Sequence, residues 1–261
     1  MAEQLYFTGS GELLLSKTGA TALPDGAGFR NVGNVDMIKA GFSVTNMTHR
    51  ESKSGLERED FRLARQLTGT VDIMLSKYSI ENLQLALYGT KTTNTQATVT
   101  TETVVAPSNL KNATTLANFN ITSLSQLTNS GASTVYVVGT DYTWDAWGNI
   151  YFPTGTTITA SQSLRATYTF GTSESVNAFG DIQPNLWLRV LGINNARGNS
   201  KVLIEIPKVI LDPIAEWDLI STGKTAPEQI SLKGAMLFNQ QVSDSGLIPN
   251  GYFRETQLVE A

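Results

Sequence analysis

Residues 70–75 read TVDIML, with Val71, Ile73 and Leu75 pointing one way and Thr70, Asp72 and Met74 the other. Period-two alternation is the mark of a strand with one buried face, and a slip of one residue would turn the whole apolar set outward. A second run, residues 34–48 (NVDMIKAGFSVTNMT), alternates more loosely, with Phe42 and Val44 on one face and Ser43 and Thr45 on the other. These runs predict two long strands whose apolar members Phe42, Val44, Val71, Ile73 and Leu75 hold a common core. Asp36 and Asp72 fall on their polar faces.

Between the runs lies residues 48–60, THRESKSGLERED, where Arg50, Glu51, Lys53, Glu57, Arg58, Glu59 and Asp60 alternate in sign around Ser54 and Gly55. The whole chain is only 16% charged, so the concentration of both signs is particular to this segment. It is longer than a tight hairpin turn requires. Mixed charge on a loop is also what a solvated loop with weak local ion pairs looks like.

The rest of the chain reads as strands. Thr, Ser, Asn and Gly are abundant and β-branched residues dominate the apolar runs, which favours strand over helix. Residues 5–17 are strand-like but interrupted at Gly9 and Gly11. One helix is predicted, with Ser79 as its cap, Glu81 in its first turn, Ile80, Leu83 and Leu87 at helical spacing, and Gly89 ending it. Residues 92–122 read as a Thr-, Asn- and Ala-rich excursion with few strand signals. A β-rich unit follows: residues 133–144, a turn at Asp145-Ala-Trp-Gly148, then Ile150-Tyr-Phe152, then residues 164–170, whose Leu164, Ala166, Tyr168 and Phe170 share a face. Long strands return at residues 186–193 and 202–211, with 229–238 after them. The polar tail from Asn239 reads as an arm. The organisation expected is a core over residues 1–94, a β-rich insertion over 95–168, and the rest of the core with the arm over 169–261.

No constellation in the sequence points to chemistry, and no enzyme is expected. Without cysteine there is no disulfide or thiolate metal site. The single histidine, His49, lies in the charged segment, which leaves a catalytic triad or a His-rich metal site little to work with. Glu57, Glu59 and Asp60, or Asp141 and Asp145, would be the carboxylate pairs of a glycosidase. The first group is interleaved with Arg58, and the second sits at a turn that favours Asp for backbone reasons. The glycine clusters lack phosphate-cradle spacing. Tyr142, Trp144, Trp147, Tyr151 and Phe152 form either a sugar-stacking platform or a small core, and the core is the better reading. No catalytic residue, metal or cofactor is expected. A net charge of −4 offers no basic face for duplex DNA. The N-terminus lacks a basic and apolar leader pattern, and no apolar run reaches membrane-spanning length, so cytoplasmic synthesis without a membrane is the expectation.

The order of features resembles the tail tube proteins (major tail proteins) of long-tailed bacteriophages. The resemblance rests on FRNVGNVDMIKAGFSV, the charged HRESKSG, LTGTVDIML, and a helix closing as NLQLALYG. KVLIEIPKVILDPIAEWDLI and ISLKGAMLF are similar to that family's closing strands, and VYVVGTDYTWDAWGNIYFPTGTTI to the insert of many non-contractile members. The resemblance implies a mainly β fold of two packed antiparallel sheets with one short flanking helix. It implies hexameric rings stacked into a hollow virion tube, assembled in the host cytoplasm around a tape-measure protein. A tail terminator and tail-tip or baseplate proteins would be its other partners, and genomic DNA would pass through without specific binding. It places the loop carrying Arg50, Glu51, Lys53, Glu57, Arg58, Glu59 and Asp60 against the adjacent ring, makes Asp36 and Asp72 candidates for the lumen, and turns the insertion outward. A carbohydrate-binding β-sandwich and a secretion-tube protein of similar fold are the competing expectations.

Overall fold

The computed structural model describes residues 9–18, 23–24, 28–53, 55, 58–182, 184–194, 200–220 and 229–258. At 55% strand and 5% helix, the chain is mainly β, with antiparallel sheets and short flanking helices. It divides into two compact units, one of Met1–Thr90 with Val176–Ala261 and the other of Lys91–Ser175. The insertion therefore begins and ends a few residues outside the expected 95–168.

The first unit opens with β1 (Gly9–Lys17), β2 (Arg30–Asn31), β3 (Val35–Arg50) and β4 (Glu59–Leu75), followed by α1 (Ile80–Ala86). Gly11 does not break β1. A Cβ there would lie 2.3 Å from the Leu191 carbonyl oxygen, so the glycine permits a close strand approach inside a continuous strand. Ser79 caps α1 as expected, its side chain accepting the Asn82 N–H. The residue that leaves the helix is Tyr88, at φ 49, and not Gly89. The absent side chain of Gly89 instead makes room for Val176, whose Cγ1 would stand 2.1 Å from a Cβ. Asn82 is wholly buried, donates to the Val32 and Lys77 carbonyls at 2.9 and 3.0 Å, and accepts from Arg30 at 2.9 Å. Its amide is thereby satisfied, as burial requires.

The second unit holds β5 (Thr90–Asn94), β6 (Ala97–Val105), β7 (Thr114–Thr115), β8 (Ile121–Asn129), β9 (Thr143–Trp144), β10 (Asn149–Tyr151), β11 (Ser163–Phe170) and β12 (Ser173–Asn177). Two three-stranded sheets, β6-β11-β8 and β7-β10-β9, share one core; β5 pairs with β12 where the chain enters and leaves. The reading of residues 92–122 as strand-poor is corrected by β5, β6 and β7. Their threonines alternate with Val99 and Val104, and hydroxyl-rich outer faces hid the period. Residues 133–144 were expected to be a strand, but only Thr143 and Trp144 pair in one, with isolated bridges at Val135 and Val138. Residues 164–170 behave as read, with Leu164, Ala166 and Tyr168 fully buried and Phe170 nearly so.

The chain returns to the first unit with β13 (Leu186–Asn194), β14 (Ser200–Leu211), β15 (Ile230–Met236), α2 (Gln240–Asp244) and β16 (Arg254–Gln257). The eight-stranded sheet runs β2-β1-β13-β14-β15-β4-β3, with β16 added on β14. Across β14 the register shifts: Leu188 faces Ile206 but Leu186 faces Val209. The extra residue falls at Pro207-Lys208, the kind of site a strand proline needs. Before this bulge β14 pairs with β16, and after it with β15. Leu13 and Leu188 on one half of the sheet share a core with Val71, Ile73 and Leu232 on the other, closed by Leu83 and Ala86 of α1. The tail from Asn239 is not a free arm. Asn239 caps α2, Val242 and Ile248 pack on Trp187, and β16 completes the sheet.

Candidate assembly surface

β3 and β4 are 16 and 17 residues long, far more than the sheet can use. β15 pairs with β4 only from Gly69 to Leu75. Beyond Phe42 and Gly69 the two strands continue as a two-stranded ribbon, paired with each other to Arg50 and Glu59. Every ribbon residue from Phe42 to Arg50 and from Glu59 to Thr68 is exposed. This corrects the placing of Phe42 and Val44 in the core: they are 62% and 46% exposed, while Val71, Ile73 and Leu75 are buried as read. The alternation is the same in both stretches; only the third strand is lacking in the outer one.

The ribbon is apolar on both faces. Val44 pairs with Leu67 and Met47 with Leu63. Strand alternation sends Val44 and Met47 to opposite sides. Leu67 is 64% exposed and Leu63 52%. Among the described residues β3 has no partner on its outer edge, and β4 has none on its β15 side before Gly69. Long open edges with exposed apolar side chains are templates for another strand.

At its root the ribbon leans on the C-terminal segment. Phe42 meets Phe253 edge to face at 5.4 Å and 82°. Asn250, Tyr252 and Phe253 with Phe42, Val44 and Leu67 border a hollow of about 280 Å³. Asn250 fixes this corner by accepting the N–H groups of Tyr252 and Phe253. The Asn250-Gly251 pair is itself a local turn signal; the sequence does not show that this turn sets Phe253 against Phe42.

The charged segment is distributed over strand ends and loop. Arg50 ends β3, and Glu59 and Asp60 begin β4, with Arg50 facing Glu59 in register. Glu51 N–H donates to the Arg58 carbonyl at 2.9 Å, closing the neck of the loop. Lys53 and Arg58 are exposed; Glu57 lies outside the described residues. Asp60 takes the His49 ring nitrogen Nδ1 at 2.7 Å, and Glu59 accepts from Arg62 at 2.7 Å. The acids at the neck are thus partnered within the hairpin.

Asp36 and Asp72 are not brought together in one cluster. Asp36 accepts from Ser76 and Gln229 at the start of β3. Asp72, half-buried, lies in register between Lys39 of β3 and Lys233 of β15.

The other carboxylates serve local structure. Asp141, nearly buried, accepts Val137 N–H at 2.8 Å, Thr157 N–H at 3.1 Å and the Thr157 hydroxyl at 2.7 Å, and these bonds hold it below the usual carboxylate range. Asp145 is held down first by the Asn149 amide, and accepts the Tyr151 hydroxyl as well. The aromatic set divides: Tyr142 and Phe152 are core, Trp144 packs against it, and Trp147 and Tyr151 are 75% and 44% exposed. Glu205, 1% exposed, is gripped by Arg189 and Arg254. Burial would raise its pKa, but the Arg254 and Arg189 guanidinium groups outweigh this and hold it low. Among the described residues no group of three acids or histidines could hold a metal, and no helix is long and apolar enough to cross a membrane.

Residues 6–254 match the family described as protein of unknown function UCP028589. The chain belongs to that family. No curated protein matches it. The match spans both units and the ribbon, so the architecture described above lies almost wholly within the family's bounds.

Proposed function

We propose that the chain is a structural subunit whose copies join edge to edge into rings that stack as a hollow tube, the tail tube of a non-contractile bacteriophage. The observation that carries this reading is the β3–β4 ribbon. In an isolated chain the ribbon's apolar side chains are wet on both faces and, among the described residues, two strand edges are open. Pairing the open edge of one copy with that of the next satisfies these groups, and a repeated head-to-tail contact closes into a ring. The order of sequence features shared with tail tube proteins supports the same reading. In it, a tape-measure protein templates the tube, terminator and tip proteins end it, and the net negative charge lets DNA slide past without binding. Asp36 and Asp72 are the lumen candidates, the charged loop meets the adjacent ring, and the place of action is the virion.

Negative-stain microscopy with sedimentation of the purified chain tests this. Rings or tubes whose formation fails in Leu67→Asp, while that variant keeps its circular dichroism and melting temperature, are expected. Wild-type chain that stays monomeric at millimolar concentration would overturn the reading. The exposed Trp147 favours a second one, a carbohydrate-binding module, which glycan affinity in a monomer lost with Trp147→Ala would support.

A further inference from the structure

The only histidine in the sequence sits on the ribbon. His49 is the residue before the end of β3, its Nδ1 is 2.7 Å from Asp60 Oδ1, and both side chains are substantially open to water, at 69% and 46% exposure. Among the described residues the only element paired with this end of β3 is β4. The charged groups around the pair are Arg50 and Glu51 on the β3 side, and Arg58, Glu59 and Arg62 on the β4 side. Glu59 is engaged by Arg62, and the group in contact with Asp60 is the His49 ring.

We infer that self-association through the ribbon takes up protons at His49, so that assembly strengthens as pH falls from about 8 toward 5.5, the span in which imidazole changes charge. This rests on the tube reading and adds a regulator to the same surface. In the isolated chain water solvates the Asp60 carboxylate whatever the state of the ring. When a neighbouring copy covers the ribbon, that water leaves, and a desolvated carboxylate needs a full positive charge beside it. Imidazolium supplies it; neutral imidazole supplies only a hydrogen bond. The assembled state therefore binds more protons than the free chain, and linkage makes association tighter on the acid side.

The test is the concentration at which full-length chain begins to assemble, read by sedimentation and microscopy at pH 8.0, 6.5 and 5.5. The wild type should start at about tenfold lower concentration at pH 5.5 than at pH 8.0, in keeping with the coupling measured for close interfacial charge pairs. His49→Gln should show a flat profile at the weak, high-pH level. His49→Lys, permanently charged, should be flat at the strong level. A wild-type profile that is flat, or a pH response that survives in His49→Gln, overturns the inference and leaves the tube reading standing. No assembly at any pH overturns both.

Discussion

At the scale of single residues, Glu205 is a buried carboxylate held by two guanidinium groups. Among the described residues it is the one carboxylate nearly closed off from water by two arginines, on β13 and β16, and Arg189 also lies 4.7 Å from the Phe29 ring centroid. Removing the acid strands two guanidinium groups against each other. Glu205→Ala should cost about 1–3 kcal/mol, less than for a fully buried pair because the arginine side chains keep 35% exposure and stay partly hydrated. The pH dependence has a definite sign. The folded-state pKa is depressed, so the stabilisation is complete above the unfolded carboxylate value. It is lost as pH falls through the lower folded value. Melting temperature followed from pH 7 to pH 3 should drop in the wild type and drop less in Glu205→Gln. Equal slopes would show that this triad contributes nothing to acid lability. The sequence could not have shown the triad, since its members are brought together only by the register of β13, β14 and β16.

At the scale of elements, local signals were legible and context was not. Ser79 and the spacing of Leu83 revealed α1, because capping and helical periodicity are local. Val71, Ile73 and Leu75 revealed β4, because their alternation matches a buried face. The same alternation at Phe42 and Val44 misled, since period two marks a strand face without saying what will cover it. The polar period of β6 was masked by threonines that are good strand formers on either face. The C-terminal segment was misread because β16 is short and polar, and only the free edge of β14 makes it a strand. The candidate surface follows this division. Its charges were visible in the sequence, while the open edges and the Phe42–Phe253 contact needed the fold. A prediction belongs at this scale. Replacing the eight loop positions 51–58 with a short neutral turn should leave the monomer's unfolding free energy within about 1 kcal/mol of wild type. A shorter loop costs little closure entropy, and the His49–Asp60 and Glu59–Arg62 pairs lie in the strands. If the chain forms tubes as proposed, the loop-replaced chain should fail to elongate them, since a small loss repeated around each ring multiplies. High salt should weaken wild-type tubes in the same direction, and Arg58→Glu should be worse than Arg58→Gln because it sets like charges together. Long tubes built by the loop-replaced chain, measured by electron microscopy, would return the segment to a solvated loop.

At the scale of the molecule, the two units have separate cores, one built on β4, β13 and α1 and the other on β8 and β11. The second unit leaves and rejoins the first at one place. Gly89 lies against Val176 closely enough that a Cβ on the glycine would overlap the valine. Cutting out residues 91–175 therefore leaves two ends already in contact, and a short Gly/Ser linker can close them with little entropy cost. Residues 91–175 produced alone should fold, because fifteen buried residues, among them Tyr142, Ile150, Leu164 and Tyr168, supply a core that borrows nothing from the first unit. Circular dichroism and urea melts should give one cooperative transition for each piece. The intact chain should give transitions that the two pieces reproduce. If the linker-closed first unit folds and still forms tubes, the insertion is an outward decoration, in line with a non-contractile tail that needs no sheath around it. If it folds but forms no tubes, the second unit takes part in the ring, and the ribbon alone is not the assembly surface. If it fails to fold while residues 91–175 fold alone, the first unit's sheet depends on its insertion, and the two cores are separate in contact but not in stability.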